Sequence, residues 1–405
     1  MTATPPGGLA LLILVLLGDF LLWDLSPGIA LVLFAAAVLA VSGARHWGWF
    51  AVGALPAIDL VQPLSVGFLL AGMVLAKVGP RGALGFLRHL PRVRPGWRVQ
   101  LGPGLWRNWA FPLGGSLVLV SLLGQANPLI ARALTPDLGD LPLRLAFWAG
   151  LALAVLPFLA APPPEWHPRA PNLPGLGLNA GSVLRALVLF NLALGAQMAF
   201  DLQVVLSGPP PGISLATFAH RGAYPLLATA LLAGAFALAA RPFLNENNLI
   251  RPLLILWLVQ NIALTGSAAL RLQSYVQAWG LSYLRVHAAI WMGLVALGLA
   301  LCLWQVLRGH PNGWMLRRTA ALGLGTLYVC GFVNFAGVIA AENLSRPDPD
   351  LYYICGLGPM AAAAFAVHGW SDACSAPPRI DHWQEWGFRG WSVAHRVAAH
   401  EDPAR

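Results

Sequence analysis

Apolar runs of 12 to 24 residues recur along the whole chain, separated by short breaks rich in proline, glycine, aspartate or arginine. A helix of about 20 apolar residues crosses the ~30 Å hydrocarbon core of a bilayer, so the pattern predicts helices in lipid. Eleven runs are read as spans: 9–23, 28–42, 47–58, 63–78, 109–125, 145–161, 183–206, 224–240, 253–270, 286–307 and 320–341. The first two form a hairpin about Asp24-Leu25-Ser26-Pro27, and the next two pivot on Asp59-Leu60-Val61-Gln62. Residues 9–23 have no basic segment before them and no small-residue cleavage site after them, so they are read as a span and not a leader. A twelfth candidate, 351–370, contains Pro359 together with glycines and alanines that contribute little to insertion, and the expectation is a tail outside the membrane.

The fold class is therefore an all-α, polytopic transmembrane bundle of about eleven spans, or twelve if 351–370 crosses. It divides into N-terminal hairpins over 1–161, which include a basic segment at 79–108, a proline-rich linker at 162–178, a C-terminal bundle at 179–341 and a polar tail at 342–405. Within 79–108, Ala83, Leu84, Leu87 and Leu90 share a helical face opposite Arg81 and Arg88. That is the pattern of a short helix on the inner leaflet, with a solvated loop as the alternative. Trp383, Trp386, Val393 and Val397 recur at helical spacing in the tail, as in a terminal amphipathic helix.

Composition agrees with the pattern and narrows it. The chain has 405 residues, of which 58% are hydrophobic and 10% charged, against about 25% charged in soluble domains. Its net charge of +9 comes from arginine, because Lys77 is the only lysine. With the heavy use of Ala, Gly and Pro, this points to a GC-rich bacterial genome and to the cytoplasmic membrane. The cations sit at span ends rather than among aromatics along a groove, so no nucleic acid is expected as a partner. Arg45, the 77–107 stretch, Arg169, Arg241, Arg251, Arg308, Arg317 and Arg318 fall on one side; Arg132, Arg144, Arg221, Arg271 and Arg285 fall on the other. The asymmetry places the N-terminus in the cytoplasm and, after eleven spans, the tail outside.

Chemistry is sought where polar groups meet the membrane, since they are costly there and are either paired or functional. Asp201, His220, Arg221, Arg271 and Arg285 are all expected toward the outer ends of their spans. Converging arginines there would hold a phosphate or carboxylate by bidentate bonds, with His220 as a proton carrier; the alternative pairs Asp201 with one arginine and leaves the rest to headgroups. Asn191, Gln260, Asn261 and Asn334 lie within spans, where carboxamides either join helices or line a polar path, the first being expected. Cys302 and Cys330 read as packing residues, while Cys355 and Cys374 in the tail could close a disulfide in an oxidising compartment. No metal site, nucleotide-binding loop or nucleophile elbow is present, and no cofactor is expected.

Several stretches resemble a bacterial polytopic membrane family known as domain-of-unknown-function family 4173. They are Ala126-Asn127-Pro128-Leu129, His220-Arg221-Gly222-Ala223-Tyr224-Pro225, Gln260-Asn261 with Ser267 and Arg271, and Ala288 to Trp291. Asp350-Leu351-Tyr352-Tyr353, Leu357-Gly358-Pro359 and Asp381-His382-Trp383 extend the likeness, and Met360 with its alanine run departs from it. The resemblance implies an integral membrane protein with a polar C-terminal segment and carries over no activity and no catalytic residue. The leading expectation is a protein that is not an enzyme and binds an anionic lipid, an envelope precursor or a partner at its outer face. The alternatives are a transporter of a small or anionic solute, drawn from the mid-span amides, and an envelope glycosyl- or acyl-transferase with a lipid-linked donor, drawn from the His220 and Arg cluster.

Overall fold

A computed structural model describes residues 7–90, 140–160, 179–207, 229, 231–370 and 376–401. The described residues are helical, with no strand among them. Two compact units result: Met1–Pro168 with Asp381–Gly387, and Arg169–Ile380 with Phe388–Arg405.

The first unit contains α1 (Gly7–Leu22), α2 (Ile29–Val41), α3 (Trp47–Asp59), α4 (Pro63–His89) and α5 (Leu141–Leu159). Its core gathers Leu14, Val38, Leu39, Leu69, Ala76 and Val155. The surface is apolar too: Leu9 is 68% exposed, Phe20 66% and Leu153 70%. In water such continuous apolar exposure would drive association; in a bilayer it is the lipid-facing side. Helices α3 and α4 meet through glycine. A Cβ on Gly53 would lie 2.5 Å from the Phe68 carbonyl oxygen, and one on Gly72 would lie 2.9 Å from that of Trp49. Small residues at a crossing let two backbones approach where lipid offers no hydrophobic drive.

Helix α4 bends at Gly79, whose φ of 70° suits glycine, just before Pro80. Its last turns carry the face expected on the inner leaflet: Leu84 and Leu87 are exposed, whereas Phe86 turns inward onto Phe158 at 5.4 Å between ring centres.

The second unit contains α6 (Ala180–Ser207), α7 (Leu231–Phe243), α8 (Ile250–Trp279), α9 (Tyr283–Arg308), α10 (Asn312–Cys330) and α11 (Phe335–Leu344). Short helices α12 (Leu351–Cys355) and α13 (Ala362–Val367) follow, and α14 (Phe388–Glu401) packs on α13 through Val393 and Val397.

Among the described residues, five helices are long and apolar enough to cross a membrane: α4, α5, α6, α8 and α9; counting α10 with α11 makes six. The difference from eleven has physical reasons. Helices α1, α2 and α3 have 16, 13 and 13 residues, and at 1.5 Å per residue span only about 20–24 Å. Run 109–125 and the start of 224–240 lie outside the described residues.

Three expectations change, and the twelfth candidate run, 351–370, behaves as expected. The eleventh run is not one helix, because α10 and α11 are bent by 67° at residues 331–334; Asn334 therefore caps α11 instead of lying mid-span. The ninth run does not end at 270: α8 continues to Trp279 and carries Arg271 within it. Residues 351–370 form two short helices and a 3-10 turn, none long enough to cross. The terminal helix starts at Phe388, so Trp383 and Trp386 precede it and belong with the first unit.

Candidate functional site

Cations gather on the C-terminal end of α8. The last carbonyls of a helix lack intrahelical partners and carry partial negative charge. Arg285 donates Nη1 to the carbonyl oxygens of Trp279, at 2.8 Å, and of Gly280. Arg346 donates Nη1 to Gln277 O at 2.9 Å and Nη2 to Val276 O at 2.6 Å. Between them Asn343 clamps the turn, accepting from Leu281 N at 2.7 Å and returning a bond to Leu281 O at 2.8 Å. Gly280, with φ 78°, is required here, because a Cβ would stand 2.7 Å from the Asn343 oxygen.

Arg285 is also stacked on Tyr275, its Cζ 4.4 Å from the ring centre. One edge of its guanidinium is thus engaged, and Nε and Nη2 have no acceptor among the described residues. The neighbouring carboxylate is Glu342, 3.7 Å from Arg346. Arg346 Nε is buried without an acceptor. The end of α8 therefore carries two guanidinium groups against one carboxylate.

From this end a groove of 470 Å³ runs between α8 and α9, within the ~300–1,000 Å³ of small-molecule pockets. Arg285, Gln273 and Val276 lie toward the turn, and Gly266, Ala269, Ala289, Gly293 and Ala296 line it further in.

A second polar place lies between α6 and α8. Asn191, 8% exposed, donates to Leu187 O at 2.7 Å and across to Leu253 O at 3.0 Å, while its Oδ1 has no partner. Gln260 donates to Asn191 O at 3.4 Å, and its buried Oε1 has no partner either. Asn261 donates to Trp257 O and receives Thr265 on its own carbonyl, so it stays within its helix. Asn334 accepts from Gly337 N at 3.1 Å and donates to Met360 O at 2.8 Å. The break it caps is closed by Arg389 of α14, 7% exposed, which donates to Val333 O at 3.1 Å and Gly331 O at 2.5 Å.

Of the expected outer cluster, the side chains of Arg271 and Arg285 are described. His220, Arg221 and the side chain of Asp201 lie outside the described residues. Arg271 turns back to Ser267 Oγ at 3.5 Å and makes further contacts, whereas Arg285 reaches the α8 carbonyls. Cys302 and Cys330 are free thiols and Cys355 is disulfide-bonded; Cys374 lies outside the described residues. No group of three metal-ligating side chains occurs among the described residues.

Sequence reasoning missed several partners. Arg346 and Asn343 stand in a polar stretch that reads as the start of the tail. Asp19 is buried in α1, where Arg144 Nε donates to its Oδ1 at 2.9 Å, Arg144 Nη2 to Oδ2 and Trp148 Nε1 to Oδ1 at 2.9 Å. The lone aspartate inside run 9–23 was the available signal.

The sequence profile of a family described as "Domain of unknown function (DUF4153)" matches residues 8–366. The chain belongs to that family. Its number differs from the resemblance to family 4173, and the common ground is a family without known function. The match spans the α8–α9 groove and the broken helix, and ends before Asp381-His382-Trp383. No curated protein and no solved structure matches the chain.

Proposed function

We propose that this DUF4153 member is an eleven-span protein of the bacterial cytoplasmic membrane, N-terminus inside, that holds an anionic lipid or lipid-like envelope precursor at its outer face. The observation that carries this reading is the pair Arg285 and Arg346 at the α8 terminus, with one carboxylate beside them and one guanidinium edge open. An arginine held in place by carbonyls is pre-organised for bidentate bonds to a phosphate. The role is one of binding, not of catalysis.

The tail supports the sidedness. Ser26 N donates to Glu385 Oε1 at 3.0 Å, Ile29 N donates to Trp386 O at 2.7 Å, and a Cβ on Gly387 would lie 3.2 Å from Asp59 O. Segment 381–387 thus meets both the 23–28 and 59–62 turns, which the eleven-span count puts on the side opposite the N-terminus. In that compartment a Cys355–Cys374 bridge is expected, and an intact-mass measurement without reductant should find both thiols blocked.

Reporter fusions after Arg94, Asn247 and Arg379 test the topology. Cytoplasmic signals are expected from the first two and an external one from the third; a cytoplasmic third fusion defeats the outer-face reading. Binding is tested by melting the purified chain in nanodiscs of phosphatidylcholine with and without phosphatidylglycerol. A higher melting temperature with the anionic lipid is expected, and equal values defeat the binding reading.

Transport is the second reading, favoured by one observation: the unpartnered, buried oxygens of Asn191 and Gln260 between α6 and α8. If they line a path, Gln260→Leu should abolish uptake in a solute screen while the protein level stays unchanged.

A further inference from the structure

We infer that the groove between α8 and α9 seats one hydrocarbon chain of an anionic membrane phospholipid, with its phosphate on the open edge of Arg285. This rests on the outer-face binding reading above and names the ligand class and the manner of its capture.

The first observation is empty space with a defined wall. Gly266 and Gly293 face the groove, and a Cβ built on either meets no atom within 4 Å. Open space is left here at positions that could have carried side chains. In lipid, apolar surface has no hydrophobic reason to close on itself, so a slot of this size is filled by what surrounds it.

The second observation is depth. The wall on α9 extends from Arg285 to Ala296, eleven steps or about 16 Å of helix rise. One leaflet contributes half of the ~30 Å hydrocarbon core, about 15 Å. The slot's α9 wall therefore has about the depth of one leaflet, with Arg285 at its end.

The third is chemical polarity along the slot. The inner wall is Gly266, Ala269, Ala289, Gly293 and Ala296, and the one charged lining residue, Arg285, is at the mouth. Thr265, also deep, is taken up by the Asn261 carbonyl at 2.8 Å. An amphiphile with an apolar chain and an anionic head matches this order, and a compact hydrophilic solute does not. Arg285 selects the head: Nη1 is fastened to Trp279 O and Gly280 O, Tyr275 fixes the plane, and Nε with Nη2 presents two parallel donors. Because the chain gains little by leaving bulk lipid, selectivity comes from the head, at roughly fivefold per arginine near the surface.

The test uses the full chain in nanodiscs of phosphatidylglycerol and phosphatidylcholine in equal amounts, with retained lipids counted by native mass spectrometry. The wild type should retain one phosphatidylglycerol, enriched about fivefold over phosphatidylcholine. Gly266→Leu with Gly293→Leu fills the slot with residues that favour helix over glycine, so the protein should melt no lower while losing the retained lipid. Arg285→Lys, which keeps the charge and loses the planar fork, should keep a retained lipid but lower the enrichment.

Undiminished retention in the double leucine variant overturns the slot. Equal retention of both lipids by the wild type overturns the role of Arg285. A dimer that the leucine variant dissolves, with no lipid retained in either protein, means that a second copy occupies the groove and also overturns the proposal. A cytoplasmic reporter signal at the α8–α9 turn would instead remove the outer-face reading and leave the slot standing in the other leaflet.

Discussion

The two units treat polar groups in the membrane differently. In the first, Asp19 has both carboxylate oxygens engaged by Arg144 and Trp148, and Arg144 lies near the faces of Trp23 and Trp148 at 5.8 and 5.9 Å. In the second, three buried atoms lack a partner among the described residues, Asn191 Oδ1, Gln260 Oε1 and Arg346 Nε, and no such atom is found in the first. A closed polar network rigidifies; an open one is where a ligand, a water or an ion can still bind. Among the described residues the first unit thus has the character of a scaffold, and the second keeps unsatisfied polar groups.

The second unit is not loosely built for all that, and the largest predicted effect lies there. Arg389→Met removes the donors from Gly331 O and Val333 O at the 67° break. A buried carbonyl that loses its donor costs about 1–3 kcal/mol, so for the two we expect a loss of up to about 6 kcal/mol, read as a lower melting temperature in detergent. If Arg389→Met melts with the wild type, the break is closed by something else.

Next comes the scaffold pair. Arg144→Met leaves Asp19, 9% exposed, without its counter-charge. Arg144 is 44% exposed in its side chain, so solvent screening reduces the effect below that of breaking a fully buried pair, and a lower melting temperature, though a smaller drop than for Arg389→Met, is expected. Adding Asp19→Asn should recover most of the loss. A double variant as unstable as the single one would mean that Arg144 acts by packing on Trp23 and Trp148.

The unpartnered amides should behave in the opposite way. Interhelical hydrogen bonds in membranes average about 0.6 kcal/mol, and Asn191→Leu removes an orphaned oxygen together with its amide bonds. A change of no more than about 1 kcal/mol is expected for Asn191→Leu and for Gln260→Leu. Should either cost as much as Arg144→Met, the contrast between the units fails and these amides are structural.

How much of this was legible in the sequence follows from the range of the interactions. The hairpins α1–α2 and α3–α4 were, because Asp24 to Pro27 and Asp59 to Gln62 are local stop signals between apolar runs. The break at 331–334 was not. Gly331-Phe332-Val333-Asn334 is apolar enough to pass as mid-helix, and what stabilises the bend is Arg389, 56 residues beyond Val333. The ninth run was read as ending just before Arg271 because charge usually ends a span, yet α8 continues past it with Ser267 one turn back. Arg285 was visible as a cation near a span end. Its placement was not, since the turn that orients it is clamped by Asn343, 62 residues from Leu281.

The smallest effect concerns the tail clasp of the first unit. Glu385 lies outside the spans, and its carboxyl is held below the ordinary glutamate value of 4.5, chiefly by the backbone N–H of Ser26, with those of Asp381 and His382 adding to it and burial opposing. A lowered value in the folded state means that unfolding takes up a proton in the window between it and 4.5. The clasp's contribution is therefore fully present above 4.5 and is lost as pH falls through the lowered value. The group is largely solvated, so the loss should be local, releasing 381–387 while the core around Leu14 and Leu39 stays intact. Hydrogen exchange at Ser26 and Ile29 reads this directly: both amides should be protected at neutral pH and lose protection in acid before those of residues 33–41 of α2. Glu385→Gln retains an acceptor for Ser26 but has no charge to lose, so its exchange should be weakly raised at neutral pH and insensitive to acid. An acid-induced opening of the same size in Glu385→Gln would assign the pH response to another carboxylate and leave the Ile29–Trp386 bond as what holds the tail to the 23–28 turn.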